Sequence, residues 1–201
     1  MLTETEIVRF WHACDKVGEP IAQVLKLLLL TGCRRTELAG MRRDELGDDG
    51  TFVIPSSRTK NKRPHVVPLP ALARAIIASV KPVASPVGYV FTNSGKSPVG
   101  GWSMIKNRLD AAMGNPPAWR LHDLRRTFVT GLADLGIRPD VLVIGRRDRG
   151  AAASPPVSRT RHFCTVRIDT TLVGFPATRP STCAAQRSNA ARRSSNSSLL
   201  L

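Results

Sequence analysis

The sequence predicts an α+β fold in which helices pack around a small antiparallel sheet, followed by a disordered basic tail. Capped segments with apolar residues at helical spacing recur through residues 1–141. Two short apolar segments in the same region flank a polar loop, as in a β-hairpin. From residue 142 onward, neither periodicity persists for more than a few residues. We therefore expect a partial domain over residues 1–141 and a tail over residues 142–201.

The first helix is predicted to follow Thr3 and Glu6, which have the spacing of a capping box. Phe10 and Trp11 then fall on the apolar face that this helix would bury. Later helices are predicted where a periodic segment ends at glycine or begins at proline. These later segments are 19–30, 34–41, 70–80, 102–113 and 122–135.

Three short segments are predicted to be strands. "TFVI" (51–54) and "HVVPL" (65–69) are separated by the basic loop "PSSRTKNKRP", and "GYVFT" (88–92) follows later. We expect Lys60 and Lys62 to lie at the tip of the basic loop, where they could reach into a groove of a ligand.

The charge of the chain points to a polyanionic partner. The formal net charge is +15, a field that favours nucleic acid or an anionic membrane surface. No apolar run approaches the ~20 residues needed to span a bilayer, and the N-terminus lacks the pattern of a signal peptide. The four cysteines show no CxxC spacing, so neither a zinc site nor a disulfide framework is indicated. We expect a soluble, cytoplasmic protein without membrane contacts, a cofactor or a small-molecule substrate.

The tail differs from the rest of the chain in composition. From Leu142 onward there are 10 Arg, 2 Asp, no Lys and no Glu, which gives this segment a net charge of +8. Ser, Thr, Ala, Pro and Arg dominate, and such a segment cannot bury enough apolar surface to offset its ordering entropy. We therefore expect the tail to be disordered.

A few basic residues stand out by their local context. Arg34 comes directly after "LLLLTGC", where an apolar helix ends and a new one begins. His122 and Arg125 are three residues apart and share one helix face. Taken singly, each has an ordinary interpretation as a solvated arginine or a capping histidine. Their combination with the basic loop, in this order, indicates a site for an anion.

That combination resembles the tyrosine recombinases, the site-specific recombinases of the phage-integrase type. "LLLLTGCRRTELAGMRRDEL" resembles the first arginine box of the family, and "LHDLRRTFVTGLADLGI" resembles its His-x-x-Arg box. "PSSRTKNKRPHVVPL" resembles the β-hairpin that carries the family lysine. The resemblance covers residues 1–141 and implies a mixed α/β catalytic domain clamped on duplex DNA, acting in DNA integration and recombination together with other integrase protomers.

The resemblance implies a role for each of four residues. Arg34 and Arg125 would grip the scissile phosphate, with bidentate hydrogen bonds that strengthen as charge develops on its oxygens. His122 would support them, and Lys60 would face the leaving oxygen as a general acid. The reaction would need no metal. Further contacts to the DNA are expected from neighbouring arginines and a lysine, namely Arg58, Lys62, Arg63 and Arg126.

The sequence departs from the family at the nucleophile. In the family a tyrosine after the His-x-x-Arg box forms a covalent phosphotyrosine, so that the strands can be rejoined. The only tyrosine here is Tyr89, which precedes that box in a predicted strand and is interpreted as a packing residue. His162 is the sole later histidine, and its setting does not resemble a second histidine motif. The N-terminal helical domain of the family is also not recognised, so we expect a truncated catalytic domain.

Two functional hypotheses follow from this departure. The chain is either a recombinase catalytic domain that is inactive for lack of its nucleophile, or a non-catalytic basic DNA-binding module derived from an integrase. A covalent-complex assay distinguishes them. An RNA-binding protein is a weaker third alternative, because no aromatic-rich strand of the RRM type is present.

Overall fold

The computed structural model describes residues 1–59 and 62–134 of the chain. Lys60, the tail over 142–201 and the end of the last predicted helix lie outside the described residues. The helices are α1 (Glu4–Val17), α2 (Ile21–Thr31), α3 (Arg35–Ala39), α4 (Ala71–Ala78), α5 (Trp102–Ala112) and α6 (His122–Asp134). The strands are β1 (Thr51–Ile54) and β2 (His65–Pro68), and short 3₁₀ turns cover Arg43–Glu45 and Ser56–Arg58. The predicted α+β class is confirmed.

Helix α2 forms the centre of the fold. Its sequence, "IAQVLKLLLLT", is apolar on almost every face, and its leucines Leu25, Leu27, Leu29 and Leu30 are fully buried. A helix without a polar face must be covered on all sides, and α2 packs against α1, α3, α4 and α6. Lys26, its one charged residue, extends to the surface, where its ammonium lies 2.5 Å from a carboxylate oxygen of Asp15.

The two strands form the predicted antiparallel hairpin. Thr51 pairs with Pro68 and Ile54 with His65, which leaves residues 55–64 as the connecting loop. Phe52 and Ile54 are fully buried, while Val53 between them is exposed. The alternation is that of a sheet with one face on the core.

The prediction of a strand at "GYVFT" is wrong, because residues 88–92 do not form a strand in the structure. Tyr89 forms only an isolated bridge with Arg42, and the amide of Val90 donates to the carbonyl of Met41 at 2.9 Å. The chain then turns, because the hydroxyl of Thr92 accepts a hydrogen bond from Gly95 N at 2.9 Å. Local hydrogen bonding by this side chain ends the pairing after one bridge.

The two ends of the described domain meet at α6. The capping box predicted for Thr3 and Glu6 is present, and just before it the amide of Leu2 donates to the hydroxyl of Thr127 at 2.9 Å. Phe128 is buried on the face of α6 that packs against α2. None of the helices in the described part of the chain is long and apolar enough to cross a bilayer.

Candidate functional site

Three separate segments enclose a cavity of about 500 Å³. They are the turn from α2 into α3, the first turns of α5, and the segment from 119 into α6. Three of the four residues predicted to be catalytic line this cavity, namely Arg34, His122 and Arg125. Arg34 and Arg125 are 91 positions apart in the sequence, so the fold, rather than local sequence, brings them together. The fourth, Lys60, lies outside the described residues.

Arg34 is fixed at the cavity by a buried carboxylate. Helix α2 ends at Gly32 in the left-handed conformation, and Arg34 is the N-cap of α3. Glu37 accepts hydrogen bonds from the Arg34 amide at 3.0 Å and from its guanidinium at 2.6 Å. The Glu37 side chain is only 3% exposed, whereas that of Arg34 is 46% exposed. The carboxylate therefore orients the guanidinium and leaves much of it open to a ligand.

Arg125 is held by a neutral group. Its guanidinium donates to the carbonyl oxygen of Gly32, at the end of α2. A peptide carbonyl orients the guanidinium without cancelling its charge, and no carboxylate of the described residues forms an ion pair with Arg125. The same turn that leads into Arg34 thus also positions Arg125.

His122 is the first residue of α6 and is exposed. The segment before it is held by Asp123, whose carboxylate accepts a hydrogen bond from the backbone amide of Arg120 at 2.8 Å. That hydrogen bond is the main reason why the pKa of Asp123 is lowered.

Two tryptophans that the sequence did not single out form the aromatic walls of the cavity. The guanidinium carbon of Arg35 lies 5.3 Å from the ring centre of Trp102. The Lys106 ammonium nitrogen lies 4.3 Å from the ring centre of Trp119, and it forms an ion pair with Asp110. The two tryptophans belong to different segments. Their spacing in the sequence therefore does not indicate that they line the same cavity.

A sequence model described as the phage integrase family matches residues 1–143, which is well over half of the chain. The chain belongs to the phage integrase family.

Individual relatives match the integrase domain over limited lengths. Prophage integrase IntZ of Escherichia coli (strain K12) is 37% identical over 67 residues, which are 32% of this chain and 17% of the relative. The crystal structure of XerA recombinase superimposes with a TM-score of 0.60 at 18% identity, over 85% of this chain and 60% of that one. XerH site-specific recombinase bound to difH substrate, in its pre-cleavage complex, gives 0.55 at 19% identity, over 84% and 50%. The chain therefore spans at most about 60% of the length of these relatives, and the structural matches establish the fold.

Cys33 lies in the cavity wall of the integrase domain as a neutral thiol. Its side chain is buried, and this burial raises the pKa of the thiol to about 11. The nearby guanidinium groups of Arg34 and Arg125 act in the opposite direction but do not outweigh burial. The described residues contain no group of three His, Cys, Asp or Glu side chains that could hold a metal ion.

The residues predicted to make further DNA contacts divide into two groups. Arg58 points into the protein, where its guanidinium donates to the carbonyl of Gly40 and pairs with Glu45. These contacts give it a role in joining the hairpin loop to α3. In contrast, Lys62, Arg63 and Arg126 are exposed.

Tyr89 lies outside the cavity of the integrase domain. Its ring faces the guanidinium of Arg42, whose central carbon is 5.8 Å from the ring centre, and its backbone amide donates to the Ser85 hydroxyl at 3.2 Å. These contacts agree with the interpretation of Tyr89 as a packing residue.

Proposed function

We propose that this chain binds duplex DNA as a site-specific recombinase domain and holds one backbone phosphate in the cavity. Arg34 and Arg125 would hold two non-bridging oxygens, and His122 would donate a further hydrogen bond. The proposal rests mainly on the turn at Gly32, which positions both arginines. Arg34 follows this turn as the N-cap of α3, and Arg125 donates a hydrogen bond to the Gly32 carbonyl. A phosphate accepts hydrogen bonds from both guanidinium groups at a lower entropic cost when their positions are already fixed relative to each other.

The electrostatics of the cavity support an anionic ligand. Two carboxylates, Glu37 and Asp110, form ion pairs with cations of the lining. The lining itself contains five cationic side chains, namely Arg34, Arg35, Lys106, Arg120 and Arg125. In a partly water-excluded site, fixed charges of one sign attract a phosphodiester more strongly than they would in bulk water. XerH and the Tn1549 transposon integrase, which share this fold, were both solved in complex with DNA.

We further propose that this chain does not itself form a phosphotyrosine link. Its only tyrosine, Tyr89, does not line the cavity and packs against Arg42. The chain would then bind and orient the phosphodiester without cleaving it, which favours the non-catalytic alternative. The role of Lys60 as general acid and the assembly with other integrase protomers stay predictions.

A salt titration of DNA binding tests the phosphate site. Counterion release makes log K fall with log salt concentration, with a slope of about −0.9 per phosphate neutralised. The double variant Arg34→Ala, Arg125→Ala should bind a labelled duplex more weakly and with a slope smaller by about 0.9. The control is Arg74→Gln, because Arg74 is exposed on α4 and does not line the cavity. This variant should change the affinity and the salt slope much less than the double variant does. Binding that does not respond to salt would remove the DNA-binding proposal.

A denaturing gel tests the absence of the nucleophile. After incubation with a nicked duplex that traps covalent intermediates, we expect no protein–DNA adduct. An adduct that persists in the wild-type chain and disappears in Tyr89→Phe would show that Tyr89 acts as the nucleophile. That result would overturn the non-catalytic part of the proposal and leave the binding part in place.

A further inference from the structure

The cavity has more cationic groups than a single phosphate requires. Arg34, His122 and Arg125 belong to the proposed phosphate site, and Arg35 and Arg120 line the same cavity. We propose that Arg35 and Arg120 form a second phosphate subsite, which takes the adjacent backbone phosphate of the same DNA strand. The inference rests on the proposed function and specifies how the DNA backbone crosses the cavity.

Arg34 and Arg35 direct their charges to different places. The Arg34 guanidinium lies 2.6 Å from a carboxylate oxygen of Glu37, on its own helix. The Arg35 guanidinium instead lies over the ring of Trp102, at the start of α5. The two side chains are therefore held by different elements, Arg34 by α3 and Arg35 by α5. Two neighbouring arginines arranged in this way serve two anions better than one.

Trp102 provides a platform that holds Arg35 without consuming its hydrogen-bond donors. The attraction between a cation and the face of an aromatic ring does not require the N–H donors of a guanidinium group as hydrogen bonds. Trp102 is placed by Gly101, which precedes α5 in the left-handed conformation with φ of 74°. The donors of Arg35 are therefore available to phosphate oxygens while its position is restricted.

Arg120 brings a second charge to the lining of the cavity. Its backbone amide is fixed by the Asp123 carboxylate at 2.8 Å, and its side chain is exposed. Among the described residues, no carboxylate forms an ion pair with either Arg35 or Arg120. Lys106, by contrast, is paired with Asp110 and is not part of the subsite.

The spacing of DNA phosphates brings a second phosphate close to any phosphate that is held in this cavity. Each strand of duplex DNA carries one phosphate per ~3.4 Å of helix axis. A strand with one phosphate between Arg34 and Arg125 would therefore place its neighbour close by, and Arg35 and Arg120 line the same cavity of about 500 Å³. Uncompensated guanidinium groups beside that neighbour lower its electrostatic energy, independently of the base sequence.

Salt titrations on two pairs of variants test the subsite. Arg35→Gln with Arg120→Gln should reduce the slope of log K against log salt by about 0.9, which is one phosphate. Combining this pair with Arg34→Ala and Arg125→Ala should reduce the slope by about 1.8 in total, because two phosphates are lost. Arg74→Gln is again the matched control. Thermal unfolding followed by circular dichroism verifies that each variant is folded.

A variant series at residue 102 tests the platform. Trp102→Phe keeps an aromatic face and should retain most of the affinity, whereas Trp102→Ala should weaken binding as much as Arg35→Gln does. The double variant Trp102→Ala, Arg35→Gln should bind no more weakly than either single variant, because both changes remove the same contact. A merely structural role of Trp102 would instead give additive losses, and that result would overturn the platform.

The outcomes separate this inference from the function on which it rests. If the Arg35/Arg120 pair matches the Arg74 control while the Arg34/Arg125 pair still lowers the slope, the second subsite is overturned and the proposed function stands. The same conclusion follows if the two pairs together lower the slope by only 0.9, since they would then hold one phosphate. If neither pair changes the slope, both proposals fail.

Discussion

The ring of Phe128 packs directly on Gly32, so the turn between α2 and α3 touches the middle of α6. A Cβ atom at residue 32 would lie only 2.9 Å from Cε1 and 3.1 Å from Cγ of this ring. Gly32 also has φ of 60°, in the left-handed region. The Gly32 carbonyl also accepts the hydrogen bond from the Arg125 guanidinium. The position of Arg125 relative to Arg34 therefore depends on a glycine at residue 32.

Gly32→Ala should therefore destabilise the domain. The left-handed conformation costs an L-residue about 1–2 kcal/mol, and overpacking against the Phe128 ring costs roughly 1–3 kcal/mol more. We expect the free energy of unfolding in urea to fall by about 2–5 kcal/mol. Gly100→Ala is the control, because nothing lies within 4 Å of a Cβ at that position. Equal losses for the two variants would contradict the close packing at Gly32.

Glu37→Gln should loosen Arg34 and lower stability. The two oxygens of the buried carboxylate each accept one hydrogen bond from Arg34. The amide of glutamine has only one oxygen and no charge, so it can accept only one of these hydrogen bonds. Because Arg34 is 46% exposed, solvent screens the pair, and we expect a loss of about 1–2 kcal/mol in urea unfolding. Glu19→Gln, at an exposed carboxylate, serves as the control. Unchanged stability would mean that Arg34 is positioned without Glu37.

Thr127→Val should detach the N-terminal residues from α6. The Thr127 hydroxyl accepts the buried amide of Leu2 and donates to the carbonyl of Asp123, each at 2.9 Å. Valine has the same shape but leaves the Leu2 amide without its acceptor, at a cost of about 1–3 kcal/mol. Thr130→Val, on the same helix, controls for the change in helix propensity. Hydrogen exchange at the Leu2 amide should accelerate in the first variant only.

The Cys33 thiol should be unreactive in the folded domain. A pKa of about 11, against 9.0 for an unperturbed thiol, reduces the thiolate fraction at pH 8 by about 100-fold, and burial slows modification further. The measurement is labelling by a disulfide reagent in a variant whose other cysteines are alanine, with the urea-unfolded chain as control. Rapid labelling of the folded protein would contradict the burial of this side chain.

The same pKa shift makes stability depend on alkaline pH. The folded state holds the Cys33 proton more tightly than the unfolded state does, so the stabilisation is complete below pH 9 and is lost as pH rises to about 11. Cys33→Ala should lack this part of the decline. Cys14, whose pKa is also raised by burial, contributes a similar decline and is retained in both proteins compared.

The sequence predicts those parts of the fold that depend on local patterns. The capping box at Thr3 and Glu6, the two paired strands and the start of α6 at His122 were all predicted, because caps and periodicity act within a few residues. The strand at 88–92 was predicted wrongly, since its ending depends on a side-chain hydrogen bond of Thr92.

Within the candidate site, the sequence indicated the cations but not what holds them. Arg34 and Arg125 were recognised from their boxes, whereas their contacts with Glu37 and the Gly32 carbonyl depend on tertiary packing. Arg58 belongs to the same basic loop as Lys62, yet it turns inward to Gly40 and Glu45. A run of basic residues does not reveal which one will find an internal partner.

The burial of α2 on all sides has a consequence for the time course of synthesis. Helix α2 ends at Thr31, and α6, which covers one of its faces, begins at His122. At a synthesis rate of ~5–20 residues per second, its last partner appears roughly 5–20 s after α2 itself. During that interval the face of α2 that α6 will cover has no partner from this chain. The segment that organises the finished domain therefore presents an uncovered apolar face to other chains and to chaperones while the domain is being made.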